Sequence, residues 1–381
     1  MKKCLFSLLM LFAAGVLRSQ SYAFDHGPYL QELTPDGVTF VFTTSAKGFP
    51  WVELRDAAGR LTRHYAVKNG LRDAFDTFHA IRVEGLSPDT KYEYRLGSKA
   101  IADFQPYKVT FGDSIVSKWY GFRTLDPHAS RCSFVALSDM HGDAGKLGRL
   151  LELGDIASAD MAFYVGDMMN YYDNEQAPFD SYIDKSVALF ASERPYVVVR
   201  GNHETRGNRA REYARYAPRK DASYYGAYRV GDIMFVVLDC GEDKPDDFWV
   251  YAGLTDFDGY RSEQAEWFRD LIRTKAYRSA KWHIVMNHFP PAFGPSDNPE
   301  MHGQIDLTQK FLPLYNEAKI DLMISGHTHR YEFMEPTPEM RFPVIVGSTE
   351  SISRVDIDGR TMKAKVVDVN GNVLKEFEVS K

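Results

Sequence analysis

Phe134-Val135-Ala136-Leu137-Ser138-Asp139-Met140-His141 is an apolar run that ends in a carboxylate and an imidazole two positions apart. Four more stretches repeat this plan. Residues 161–165 precede Gly166-Asp167, and residues 196–199 precede Gly201-Asn202-His203-Glu204. Residues 284–286 precede Asn287-His288, and residues 320–324 precede Gly326-His327-Thr328-His329. Short, bounded, Val/Ile-rich runs read as buried strands. In layered α/β folds, ligands bind beyond the carboxyl ends of the strands. Asp, Asn and His are ligand types for divalent metals. The pattern therefore predicts one metal site assembled from five distant segments.

The chain has 381 residues, 44% hydrophobic and 26% charged. That length suffices for two domains, each with its own core, and the composition is that of a globular protein. A formal charge of −6 argues against a nucleic-acid binder working through a basic surface. Lys2 and Lys3 followed by an apolar stretch at 5–17, with Ser21-Tyr22-Ala23 as a cleavage site, predict an export signal over residues 1–23. The stretch is short for a membrane span, which needs about 20 apolar residues, so no anchor is expected after cleavage. The mature chain is expected in the periplasm or secreted, and loses Lys2, Lys3 and Arg18 but no acid. Cys132 and Cys240 remain, and they are expected as buried thiols rather than a disulfide.

Residues 24–124 read as an all-β sandwich. Strand-period alternation at 38–42 and 92–96 is punctuated by turn signals such as Pro35-Asp36-Gly37. Gly85-Leu86-Ser87-Pro88-Asp89-Thr90-Lys91-Tyr92 resembles the tyrosine-corner segment of fibronectin type III domains, with Tyr92 structural. Beyond a Pro-containing connector at 125–130, strands alternate with helical patterns, which predicts an α/β domain over 131–381. Ser262 is the expected N-cap of a helix carrying Trp267, Phe268, Leu271 and Ile272 on its apolar face. Alternation at 362–367 and 373–379 around Asn370-Gly371-Asn372 predicts a terminal hairpin, in a second sheet packed on the first.

Taken in order, Asp-x-His, Gly-Asp, Gly-Asn-His-Glu, a single His and Gly-His-x-His resemble the calcineurin-like metallophosphoesterases, from about residue 131 to about residue 350. Gly27-Pro28-Tyr29-Leu30-Gln31 resembles the opening of the sandwich that precedes the catalytic domain of purple acid phosphatases. The resemblance implies an α/β/β/α sandwich and two divalent ions (Mn, Zn or Fe). It implies that Asp139, His141, Asp167 and His329 bind the first ion and Asp167, Asn202, His288 and His327 the second, with Asp167 bridging. A carboxylate suits that place because it has two oxygens to share between ions held about 3.5–4 Å apart. His203 matches the residue that protonates the leaving oxygen, a task suited to an imidazole of pKa about 6.5. Asp143 or Glu204 would orient the imidazoles. Two further residues are candidate substrate contacts: Arg206, set against a plain surface reading, and His302, which resembles a substrate-side His of purple acid phosphatases. His26, His64, His79, His128 and His283 read as surface or core residues.

One departure matters. Purple acid phosphatases place a Tyr three residues after the bridging Asp, and its phenolate on ferric iron gives the colour. Here that position is Asn170, followed by Tyr171 and Tyr172. The expectation is a colourless enzyme with two divalent ions. The leading functional reading is an exported phosphomonoesterase acting on a small phosphoester. A phosphodiesterase or nucleotide pyrophosphohydrolase with the same site is the alternative, and a non-catalytic binding or adhesion protein is a reading of another class. Aromatics between the motifs, including Tyr224, Tyr225, Trp249 and Phe257, either roof the site or pack the two domains together. The acidic stretch 240–260 disfavours highly charged polyanions if it lines the cleft.

Overall fold

A computed structural model describes residues 21–220 and 223–381. The expected export signal falls mostly outside these residues. Among the described residues no helix is long and apolar enough to cross a membrane.

Every regular element from Tyr29 to Arg123 is a strand. The long strand Gly37–Arg55 organises them. Its first half pairs antiparallel with Tyr29–Gln31 and Asp76–Glu84. Its second half pairs with Leu61–His64 and Lys91–Gln105. A register shift between Thr43 and Gly48 marks the change of partners. Val38, Phe40 and Phe42 from the first half share one core with Val52 and Leu54 from the second. The hydroxyl of Tyr92 accepts the amide of Ser87 at 2.9 Å, as the corner segment predicts.

From Arg131 onward two six-stranded sheets stack face to face. In the first, Tyr196–Val199, Met161–Val165 and Arg131–Leu137 run parallel. In the second, Ile233–Val237, Trp282–Met286, Leu322–Ser325 and Val344–Val346 run parallel. Side chains alternate between the two faces, as a strand period of two requires. Phe134 and Ala136 enter the core between the sheets, whereas Val135 and Leu137 pack outward with Leu147, Leu150 and Leu151 of the helix Ala144–Leu153. Helices Phe257–Leu271 and His302–Ala318 cover the outer face of the second sheet through Phe268, Leu307, Phe311 and Tyr315. The layer order is helix, sheet, sheet, helix.

Two expectations are corrected. The terminal hairpin forms, with strands Thr361–Asp368 and Val373–Ser380, but it extends the first sheet instead of building the second. The free edge of Arg131–Leu137 is taken by antiparallel Ser351–Asp358, and Val355, Met362 and Val366 then complete the core between the sheets. Ser262 is not an N-cap: the helix begins at Phe257, and the Ser262 hydroxyl donates to the carbonyl of Asp258 inside it. The first-turn amides of Phe257 and Asp258 are satisfied by the carboxylate of Asp246, at 2.8 and 2.9 Å. A loop residue eleven positions upstream does the work of a cap.

Aromatic side chains join the two parts. The Tyr29 hydroxyl donates to the Tyr216 carbonyl, and that of Tyr94 to the Ser192 carbonyl. Tyr29 also stacks on Tyr196 at 5.7 Å. Cys132 and Cys240 are buried free thiols.

His79 is fully buried, its Nε2 2.9 Å from the Thr44 hydroxyl and its Nδ1 without a partner. Burial lowers its pKa from 6.5 to about 4. The unfolded chain therefore takes up this proton first, so stability is full above pH 6.5 and is lost as pH falls toward 4. The expected loss between pH 7 and pH 5 is about 2 kcal/mol. Thermal melts should show a shallower acid decline for His79→Gln, and an unchanged slope would refute the assignment.

Candidate metal centre

The five apolar runs end at one place. Asp139, His141, Asp167 and His329 present ligand atoms that all lie within 4.8 Å of one another, and Asp167, His288 and His327 form a second such group. Asp167 belongs to both. The Nε2 atoms of His141 and His329 are 2.9 Å apart. His288 Nε2 lies 3.1 Å from Asp167 Oδ2, but without the alignment of a hydrogen bond, so that this buried nitrogen has no hydrogen-bond partner. The buried carboxamide oxygen of Asn202 has none either. Buried polar atoms are ordinarily satisfied. Two such atoms, beside carboxylates and imidazoles, are the donor set that a pair of divalent ions accepts.

The backbone is bent to deliver these atoms. Asp139, His141, Asp167, His327 and His329 have φ of 58, 47, 54, 74 and 57°. Side chains rarely tolerate the left-handed region, at a cost of roughly 1–3 kcal/mol each, and such strain gathers at functional sites. The glycines are needed for close approach. A Cβ at Gly166 would come 2.3 Å from His288 Nδ1, and one at Gly201 would come 2.3 Å from Asp167 Oδ1.

Glu204 and Asp143, both offered by the sequence as supports for imidazoles, do other work. Asp143 caps the helix Ala144–Leu153 by accepting the Lys146 amide at 2.8 Å. Glu204, fully buried, accepts the amides of Asp167 at 2.9 Å, Met168 at 2.7 Å and Gly201 at 2.8 Å. Carbonyl oxygens orient the rings instead. His288 Nδ1 is 2.8 Å from the carbonyl of Val165, and His203 Nδ1 is 2.9 Å from that of Asn170.

Burial raises the Asp139 carboxyl to about 6, against the pull of His288. Burial opposes ionisation of Asp167 as well, but the His288 imidazolium outweighs it and holds Asp167 well below the carboxylate range. Burial would lower His288, yet Asp167 raises it to about 10. Burial, with His288 nearby, lowers His327 to about 3. A neutral imidazole is the form that binds a metal, so an ion at this site would displace the proton that Asp167 favours on His288.

Arg206 is not a plain surface residue. Its Nη1 is 2.9 Å from His203 Nε2, and Glu242 clamps its Nε and Nη2 at 2.9 Å each. Thr205 and Tyr251 also donate to Glu242. Burial first, and Arg206 second among the causes that act in the same direction, lower the pKa of His203, with Asp167 opposing. His302 contacts neither ligand group: both carboxylate oxygens of Asp258 hold its Nε2 at 2.9 Å. Glu242 escaped the sequence reading because its only signal is membership of an acidic stretch. Asn170 fills the place of the absent Tyr by donating its side-chain amide to the carbonyl of His141 at 3.1 Å. Tyr171 is 57% exposed, and Tyr172 is buried and bonded to Tyr216.

A family model for calcineurin-like phosphoesterases matches residues 132–331. The chain is similar to purple acid phosphatase 21 of Arabidopsis thaliana, 24% identical over 271 residues, with 68% of this chain and 53% of that protein covered. It is also similar to purple acid phosphatase 1 of Ipomoea batatas, at 22% identity over 72% of this chain and 55% of that protein. The chain thus spans about half the length of these relatives. Among solved structures, a purple acid phosphatase from yellow lupin (Lupinus luteus) seeds aligns with a TM-score of 0.68 and 16% identity, over 93% of this chain and 74% of that one. PhoD aligns with a TM-score of 0.59 and 13% identity, over 92% and 88%. At these identities the solved structures show a shared fold.

Gly201→Ala should press its methyl on Asp167 and weaken metal uptake at least tenfold by calorimetry, with the far-ultraviolet circular dichroism kept. Undiminished uptake would mean that the close approach is not needed. The metal-loaded protein should be colourless, and a visible charge-transfer band abolished by Tyr171→Phe would reverse the reading of Asn170.

Proposed function

Because the chain belongs to the calcineurin-like phosphoesterase family, hydrolases of ester bonds, we propose that it is an exported two-metal phosphatase that releases phosphate from monoesters. The observation that carries this reading is the sharing of Asp167 by two ligand groups. Asp139, His141, Asp167 and His329 would hold one divalent ion and Asp167, Asn202, His288 and His327 the other, supplying Lewis-acid charge and an acidified water at the phosphorus.

The remaining work falls to side chains beside the cluster. The bond from His203 Nδ1 to the Asn170 carbonyl fixes the ring, and Nε2, which accepts an N–H of Arg206 in this structure, would pass a proton to the departing oxygen once that N–H turns to a phosphate oxygen. Arg206, stiffened by Glu242, presents its guanidinium beside that nitrogen and suits a phosphate oxygen. A monoester dianion pairing with Arg206 also offsets the positive charge that disfavours the imidazolium. This matching of two cationic groups to a dianion favours monoesters over diesters.

Residues 131–381 form the phosphoesterase domain on this reading. Residues 24–124 form a fibronectin type III-like scaffold, supported by the bond between Tyr92 and Ser87. Export to the periplasm or beyond the cell rests on the N-terminal sequence.

Purified protein loaded with Mn or Zn should hydrolyse phosphate monoesters faster than diesters. Preference for diesters would overturn the monoester assignment, and no turnover of any phosphoester with both ions bound would overturn the whole reading. His203→Gln should lower kcat about 10²–10⁴-fold on alkyl phosphates and far less on p-nitrophenyl phosphate, whose leaving group needs no proton. Equal losses on both would rule out His203 as the acid.

A further inference from the structure

At the end of the sandwich where the strand Gly37–Arg55 changes partners, large apolar side chains face solvent. Phe75, Phe104 and Phe111 are 41, 47 and 48% exposed, and Tyr107 is fully exposed. The rings of Phe75 and Phe104 lie 5.2 Å apart. Phe104 stands opposite Val109 across the hairpin of strands Lys91–Gln105 and Lys108–Val116, and Phe111, two positions on, shares the face of Val109. Phe111 reaches Phe49 at 6.1 Å, and Tyr107 sits in the turn of the hairpin. Scattered apolar side chains are ordinary on a surface, whereas a contiguous exposed patch marks a place of contact. Phe75 also has a φ of 65°, and strain in a bulky residue gathers where a side chain must be displayed.

Cations sit on these rings. Lys47 Nζ lies 4.1 Å from the centre of Phe75 and Lys99 Nζ 5.6 Å from that of Phe111. The Arg72 guanidinium covers Tyr65 at 4.0 Å, and Tyr65 stacks on Phe49 at 5.3 Å. None of the three cations is in an ion pair among the described residues. A cation held over a ring face keeps its other side open to an anion. Exposed rings with lysines beside them are the side chains found at the headgroup level of a bilayer, with the ring in the apolar boundary and the amine toward lipid phosphate. Acids at this end, Asp76 and Asp103 among them, nearly balance the cations, so burial of the rings rather than net charge would carry the binding.

The start of the described chain meets the same place. The Tyr22 hydroxyl is 2.6 Å from that of Ser98 in the strand Lys91–Gln105, and a Cβ at Gly48 would strike it. The carbonyl of Gly48 accepts the Phe75 amide at 2.9 Å. In the sequence the apolar run 5–17 ends five positions before Tyr22, a reach of at most about 18 Å. Such a run, inserted in a membrane during export, brings this end of the sandwich to the bilayer surface. We propose that the end built by Phe75, Phe104, Tyr107 and Phe111 docks on a phospholipid surface and keeps the exported chain there after the N-terminal run is removed. The docking takes from the proposed function only export, and the metal centre has no part in it.

The test uses residues 24–381, the expected exported form, which keeps every strand and helix and lacks the apolar run. This chain should sediment with vesicles of phosphatidylethanolamine and phosphatidylglycerol. Tyr107→Ser and Phe104→Ser should each lower its partition coefficient at least about fivefold, as expected for half-burying one ring. Tyr107 is fully exposed, so its replacement separates loss of docking from loss of the fold. Trp249→Ser, at an exposed ring on the α/β part, should leave the partition unchanged. No sedimentation with vesicles, or sedimentation untouched by both sandwich variants, would overturn the proposal. A dimer in analytical ultracentrifugation without lipid that Tyr107→Ser separates would assign the surface to a second copy and overturn it as well. Vesicle binding lost in Tyr107→Ser by a chain that hydrolyses no phosphoester would support the docking while the phosphatase reading falls.

Discussion

A single buried carboxylate ties the metal-binding loops together. Glu204 accepts amides from the turn after Val165 and from Gly201 in the turn after Val199. Those turns carry Asp167 and Asn202. Burial, with the nearby charge of Asp167, raises the pKa of Glu204 to about 7, against the backbone N–H donors that favour the ionised carboxylate. Satisfying strained, buried amides with one fixed acceptor holds two strand ends in register without using a metal-binding side chain. His288 joins the same frame from the second sheet, through its bond to the Val165 carbonyl. The site thus spans the two sheets, and the apolar core between them fixes its dimensions.

Strain at the cluster follows from this construction. Ligand atoms from separate strands can converge only if the chain turns sharply just past each strand. Five residues of the two groups accept positive φ, and glycines stand where a methyl group would strike Asp167 or His288. The alternating cores on both faces of each sheet supply the rigidity that keeps these turns bent. The neighbouring loops are built differently. Glu242 and Asp246 pin them through side-chain bonds to Arg206 and to the start of a helix.

Much of this was legible in the chain. Apolar runs bounded by ligand types locate strands and site together, because a buried strand must be apolar and its end is where chemistry can be displayed. Six of the seven expected ligand positions lie in the two groups that share Asp167. The helix beginning at Phe257 shows where such reading stops. Its cap comes from Asp246, which no local rule connects to it, so the most favourable nearby residue, Ser262, drew the assignment. The tail fails for a similar reason: alternation at 362–367 shows a strand but not which sheet edge is free to take it. Arg206 looked like a surface residue because its partner Glu242 is distant in sequence and near only in space.

The sequence by itself determined the strand ends, the carboxylate, amide and imidazole side chains brought to them, and the absence of a Tyr at position 170. Each is a local property, set by residue type and by spacing of two or three positions. Only the tertiary structure decided which acid holds the backbone, which carbonyls orient His203 and His288, how Arg206 is clamped, and that aromatics around Tyr225 border a cavity while Tyr172 is packed shut against Tyr216. These depend on pairing across long loops and between two sheets, and on where packing leaves space. A pattern of residue types carries no information about the volume left over when the chain has folded.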